Sequence, residues 1–219
     1  MPSRPRPQLG RRVISLYAGL VIFGWSEALL VEAELGVLPW DVLHQGLARH
    51  WGLTIGIWSV IVGAAVLLLW VPLGERPGLG TISNVLTIGP AIDASVWLMP
   101  TPDEMWLRVT YVAVAIVVNA LATALYIGAR FGPGPRDGLM TGLVRRTGGS
   151  VRLVRTCIEV VVVATGFALG GTLGFATLAF VLAIGPLVHW FMPLLHIASP
   201  DEPTPAGEAG RTDHSTGCD

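Results

Sequence analysis

Lysine is absent from this chain of 219 residues, and all fourteen basic side chains are arginines. Fifteen acidic side chains leave a net charge of -1, so there is no basic domain of the kind that holds nucleic acid, and no nucleic-acid partner is expected. Cysteine is nearly as scarce: Cys157 lies within an apolar run and Cys218 near the C-terminus. Two cysteines without a spacing motif exclude a Cys-based metal site and give no disulfide framework. The pairs His44/His50 and His189/His196 lack convergent carboxylates or thiols at metal-ligand spacing, so no metal is expected. A nucleophile elbow, a phosphate loop, a zincin motif and paired catalytic carboxylates are also missing. Neither an enzyme nor a cofactor is expected.

Charge itself is sparse, at 13% of residues against about 25% in an average soluble domain. In its place stand long apolar runs, with a mean hydropathy of +0.63. A helix needs about 20 residues to cross a hydrocarbon core of ~30 Å. Six candidates meet this: residues 13–33, 54–73, 79–99, 107–129, 153–172 and 174–197. None shows the strict alternation of a membrane barrel, so the expected fold is an all-α, polytopic membrane helical bundle. Residues 1–12, with Arg4, Arg6, Arg11 and Arg12, read as a cytoplasmic basic N-terminus before an uncleaved first span, because Glu27, Glu32 and Glu34 lie where a cleavage site would fall. Residues 198–219 carry little apolar content and read as a disordered tail.

A shift of 96 positions aligns residues 36–90 with 132–186 without a gap, and eighteen of the fifty-five pairs are identical. Gly, Pro and Asp recur in register in "GVLPWDVLHQGLARHWG" and "GPGPRDGLMTGLVRRTG", which hydrophobicity alone cannot produce. A second cluster pairs "GLGTISNVLTIGP" with "GFATLAFVLAIGP". The chain thus reads as two membrane repeats, residues 13–99 and 107–197. Each holds three spans and a short helix led by Pro39 or Pro135. That helix, over residues 39–51 in the first copy, reaches about 20 Å at 1.5 Å per residue and is too short to cross. Three crossings per unit turn the second copy upside down, which predicts inverted repeats. With six crossings and a cytoplasmic N-terminus, twelve arginines fall inside and only Arg49 and Arg108 outside, as the positive-inside rule requires. Both termini are then cytoplasmic, and Trp40, Trp51, Trp97 and Trp106 form an outer interfacial belt.

Asp41 and Asp137 lie in the first turn of each short helix, where a carboxylate is favoured by the helix dipole and accepts from free backbone N–H groups. Starting a helix is one use of such a residue. The other is a translocation site between two opposed half-helices, with Pro39, Pro135 and Arg136 beside the solute path. Ile88-Gly89-Pro90 and Ile184-Gly185-Pro186 place helix breaks midway through the third and sixth spans. Intramembrane ionisable groups are costly and so candidates for coupling: Glu27, Asp93, His189 and the pair Arg155/Glu159, four apart on one helical face. Asn84 and Asn119 read as interhelical hydrogen-bonding groups.

The segments "LGVLPWDVLHQGLARHWGLTIGIWSVIVG", "PGLGTISNVLTIGPAID", "GPGPRDGLMTGLVRRTGGSVRLVRTCIEV" and "GGTLGFATLAFVLAIGP" resemble the YczE/YyaS/YitT-type bacterial integral membrane proteins, over nearly everything from Tyr17 to His189. The resemblance implies a polytopic protein of the inner (plasma) membrane and supplies no catalytic residues. Ala176 stands where Gly80 stands in the first copy, so the halves need not be equivalent. The leading functional expectation is a small-solute permease or channel built from inverted repeats, its partners being the lipid bilayer, an unknown small solute and a second copy of the chain. The alternative is a non-transporting membrane factor that assists assembly, modification or regulation of other proteins, using the basic cytoplasmic surface from Arg130 to Arg155, with Arg145 and Arg146, as a docking or anionic-lipid patch.

Overall fold

Prolines and glycines punctuate this chain, and in the computed structural model, which describes residues 9–195, they mark the ends of its helices. The order is α1 (Leu9–Ala33), α2 (Pro39–Trp51), α3 (Ile55–Leu73), α4 (Leu79–Leu98), α5 (Met105–Gly128), α6 (Pro135–Thr147), α7 (Val151–Ala168) and α8 (Phe175–Leu195). Among the described residues there is no strand. The two short helices begin at residues ninety-six apart, each with proline in the first turn, where its missing N–H costs nothing. Each ends at a positive-φ glycine, Gly52 or Gly148. The expected first span is longer than its apolar run, starting at Leu9, and the fifth stops at Ala168 rather than 172. The basic N-terminus up to Gln8 and the tail from residue 196 lie outside the described residues.

Four helices are long and apolar enough to cross a membrane: α1, α3, α5 and α8. The count of six expected from the apolar runs is reduced by α4 and α7, in which Asp93, and Arg152, Arg155 and Glu159, interrupt the hydrocarbon character.

At the centre α1 and α5 pack side by side, with α4 against α1 and α8 against α5. Ser15 donates to the Leu125 carbonyl, Asn119 to the Ser26 hydroxyl, and Arg108 reaches Glu34, so α1 and α5 run in opposite directions. Gly19 and Gly24 let α1 approach both neighbours: a methyl group at either would lie 3.0 Å or less from the backbone of α5 or α4. Outside this layer α2 sits on α7 and α6 on α3, so each short helix is held by the other half of the chain.

The sockets for the two short helices use opposite sizes. Trp70 of α3 fills the space over Gly138 of α6, and its indole N–H donates to the Pro135 carbonyl at 3.1 Å. In the other half the position equivalent to Trp70 is Gly166, against which the backbone of Val42 and Leu43 rests. The loops leading into the short helices are exchanged as well. Thr81 donates to Pro133 O and Thr177 to Val37 O, both at 2.7 Å. Gly80 N–H reaches Phe131 O and Ala176 N–H reaches Leu35 O, both at 2.9 Å. Gly36 and Gly132 hold φ of 115° and 116° in these loops, a conformation that a side chain rarely adopts.

Both Gly-Pro pairs differ from expectation: α4 and α8 continue through Pro90 and Pro186 without a break. One missing hydrogen bond per proline does not end a helix whose flanking turns remain bonded. Gly89 serves instead as a crossing point, its Cα side facing the Gly56 carbonyl of α3. Gly185 has open space around it: Arg152 stands at the place equivalent to Gly56, and α7 does not close on α8 as α3 closes on α4.

Candidate functional site

The N-termini of α2 and α6 meet at a cavity of about 220 Å³ in the middle of the molecule. Its lining residues come largely in pairs ninety-six positions apart: Pro39 with Pro135, Ser59 with Arg155, Val85 with Val181. Trp40 and Arg136 are such a pair, and they touch each other, the guanidinium 4.9 Å above the indole ring. Burial in this stack takes Trp40 away from the interfacial belt expected of it, whereas Trp51, Trp97 and Trp106 are exposed. An indole face desolvated by protein is a better cation partner than one in water.

The two halves differ in polarity. The second contributes Asn119, Thr123, Tyr126, Arg136, Asp137, Arg155 and Glu159, and the first contributes His44, Ser59 and Asn84 beside Phe23, Trp40 and aliphatic side chains, but no Arg, Asp or Glu. Arg155 donates to Glu159 at 3.0 Å, as the spacing of four predicts, and both face the cavity. The pair belongs to the site and not merely to the outside of α7.

Asp41 and Asp137 occupy equivalent positions in different surroundings. Asp137 opens onto the cavity, accepts from the Tyr126 hydroxyl and reaches back to the Gly134 N–H. Asp41 is 1% exposed and does not line the cavity. It does not cap α2 as a first-turn carboxylate was expected to do. Oδ1 is hydrogen-bonded with His44 Nδ1 at 2.9 Å, Oδ2 is buried without a partner, and the carboxyl group interacts electrostatically with that of Glu27 of α1. The difference traces to three substitutions between the copies: Leu30 stands where the second has Tyr126, Glu27 where it has Thr123, and His44 where it has Met140.

The remaining candidates lie elsewhere. Asp93 accepts from Thr54 Oγ1 and from Gly56 N–H at 2.9 Å, so it secures the start of α3. His189 is exposed near the end of α8. Glu32, buried, accepts from Thr101, and Glu34 pairs with Arg108 at 2.8 Å. Asn119 bridges helices by donating to Ser26 at 2.8 Å. Reading by residue type missed Tyr126, His44 and Trp70. Of these, Tyr126 and His44 carried a signal, since each breaks the repeat at a polar position.

Residues 10–193 match the model of a family described as a family of unknown function, DUF6198. An uncharacterized protein of Haemophilus influenzae is 37% identical over 182 residues, 83% of each chain. The uncharacterized membrane protein YczE of Bacillus subtilis is 31% identical over 180 residues, 81% of this chain and 83% of its own. YyaS of the same organism is 27% identical over 184 residues, 81% of this chain and 90% of its own. No solved structure matches. With its apolar helices and these relatives, the chain is a helical membrane protein and belongs to the DUF6198 family.

Proposed function

We propose that this protein is a small-solute permease or channel of the bacterial inner membrane, built from two inverted repeats with six crossings and cytoplasmic termini. The observation that carries the reading is the central cavity, lined in equivalent pairs by two half-helix N-termini that come from opposite halves of the chain. Helices α1 and α5 are equivalent and antiparallel, which supports inversion. Helices α4 and α7 are 20 and 18 residues long, about 30 and 27 Å at 1.5 Å per residue, enough for the remaining two crossings. Two of the three charges that dilute α7, Arg155 and Glu159, are paired and line the cavity, where intramembrane charge is tolerated. At about 30 Å³ per water, the cavity holds roughly seven waters or a solute of that size. Arg136, Asp137, Arg155 and Glu159 offer both signs of charge, which suits a small polar or zwitterionic solute.

Two arginines of the basic surface offered for docking other proteins are used within the fold. Arg145 pairs with Glu75 at 3.0 Å and donates to Leu73 O, while Arg146 donates to Pro72 O, tying α6 to the end of α3. Transport therefore leads.

The test is water access. With Cys157 and Cys218 replaced by serine, Thr123→Cys should react with a membrane-impermeant, sulfonated thiol reagent in right-side-out or inside-out vesicles. A thiol at this position that reacts from neither side removes the cavity as a pathway.

A further inference from the structure

Three carboxylate oxygens are buried without a hydrogen-bond donor among the described residues: both of Glu27 and Oδ2 of Asp41. Each residue is 1% exposed, and the two carboxyl groups act on one another electrostatically. Ionised carboxylates accept and cannot donate, so two of them side by side in a dry site leave every facing lone pair unmatched and repel. One proton between them turns the repulsion into an O–H···O hydrogen bond and removes one charge from the interior. We propose that Glu27 and Asp41 form a proton-binding site that holds a single proton shared between the two carboxyl groups, and that His44 connects it to the cavity.

The surroundings fit this ligand. His44 Nδ1 is 2.9 Å from Asp41 Oδ1, and with the proton on that nitrogen the imidazole keeps Nε2 as an acceptor. The ring lines the cavity, so a proton taken at Nε2 from cavity water and one given from Nδ1 to Asp41 move one charge to the pair. Arg136 of α6 is the cation that acts on both Glu27 and His44. Helix α5 presents the neutral Asn119 and Thr123 together with Tyr126, which is bonded to Asp137 of α6. Helix α7 presents the internally paired Arg155 and Glu159. Helices α3, α4 and α8 bring only neutral side chains to the cavity. A sodium ion would need several neutral oxygens besides the pair, and the nearby Ser26 hydroxyl is already used by Phe23 O and Asn119. The inference stands apart from solute transport: if the cavity is a solute path, the pair is where a proton couples to it.

The test is infrared spectroscopy of the purified full chain in lipid nanodiscs. At neutral pH the protein should show the C=O stretch of a protonated carboxyl group, shifted in deuterium oxide and unchanged when sodium chloride replaces choline chloride. Glu27→Gln should abolish the band, Asp41→Asn should remove it or shift its frequency, and Asp137→Asn should leave it in place. No such band in the wild-type protein, or its loss on adding sodium, overturns the proposal without need of any variant. A band lost in Glu27→Gln yet unmoved in Asp41→Asn assigns the proton to Glu27 alone and overturns the sharing. Failure of the Thr123→Cys labelling would instead remove the pathway and leave this site untouched.

Discussion

Gly138→Ala is the smallest change that should unseat a short helix. A methyl group built on Gly138 would lie 1.9 Å from Cζ2 of Trp70, 2.4 Å from Cη2 and 2.6 Å from Cε2. Carbon atoms in contact prefer about 3.5–4.0 Å, so the indole must retreat by roughly 1.5 Å or more. It has little room to do so, being 1% exposed and bonded to the Pro135 carbonyl. Overpacking of this kind costs about 1–3 kcal/mol, and weakening that hydrogen bond about 0.5–1.5 kcal/mol more. Alanine returns about 1 kcal/mol through its better helix propensity. The net destabilisation is about 0.5–3.5 kcal/mol, which for a chain of this size lowers the melting temperature by roughly 1–14 °C. Fluorescence-detected size-exclusion chromatography after heating in detergent would read it, with Gly10→Ala, where nothing lies within 4 Å, as control. The double variant Gly138→Ala/Trp70→Phe should recover part of the loss, since the smaller ring vacates the crowded space. If Gly138→Ala melts with or above Gly10→Ala, then α6 does not seat on Trp70, and the placement of Arg136 and Asp137 at the cavity loses its support.

Other substitutions probe the remaining joints. Thr81→Ala and Thr177→Ala each leave a loop carbonyl of the opposite half without its donor and should cost about 1–3 kcal/mol in the same melt, whereas Thr→Ser at either site should stay near wild type. Gly36→Ala and Gly132→Ala force a side chain onto φ near 115° and should lower stability by about 1–2 kcal/mol or more; variants that melt like wild type would contradict the loop geometry. Asp93→Ala removes the acceptor for the Gly56 N–H and the Thr54 hydroxyl at the start of α3 and should cost about 0.5–2 kcal/mol while leaving thiol access at Thr123→Cys unchanged. Glu159→Gln breaks a partly exposed ion pair and should shift stability by less than about 1 kcal/mol; a larger loss would mean that Arg155 is held more tightly than its exposure implies.

The short helices were legible in sequence because their boundaries are written in local chemistry. Proline at the first turn and glycine past the last set α2 and α6 to the residue. Span counting was less secure where charge serves a site: Arg155 and Glu159 lower the hydropathy of α7, yet they face the cavity as a pair. What no local pattern reveals is that each short helix docks on the opposite half. That exchange decides that Trp40 is buried under Arg136 and not at an interface, and that Asp41 is sealed against Glu27 while Asp137 opens to the cavity. Glu27 was visible as a costly intramembrane charge, but its partner, fourteen residues on and on another helix, was not. Likewise the Gly-Pro pairs suggested breaks, and only the packing of Gly89 on Gly56 shows a crossing point there.

The central claim is that two inverted halves enclose one pathway, and the side on which each short helix ends tests it most directly. Both ends are accessible, His50 of α2 and Thr147 of α6 being exposed. In the chain lacking Cys157 and Cys218, single cysteines at these positions would be labelled in intact cells with an impermeant maleimide. The account predicts that His50→Cys labels from outside and that Thr147→Cys labels only after the membrane is permeabilised. Labelling of both from the same side would contradict it.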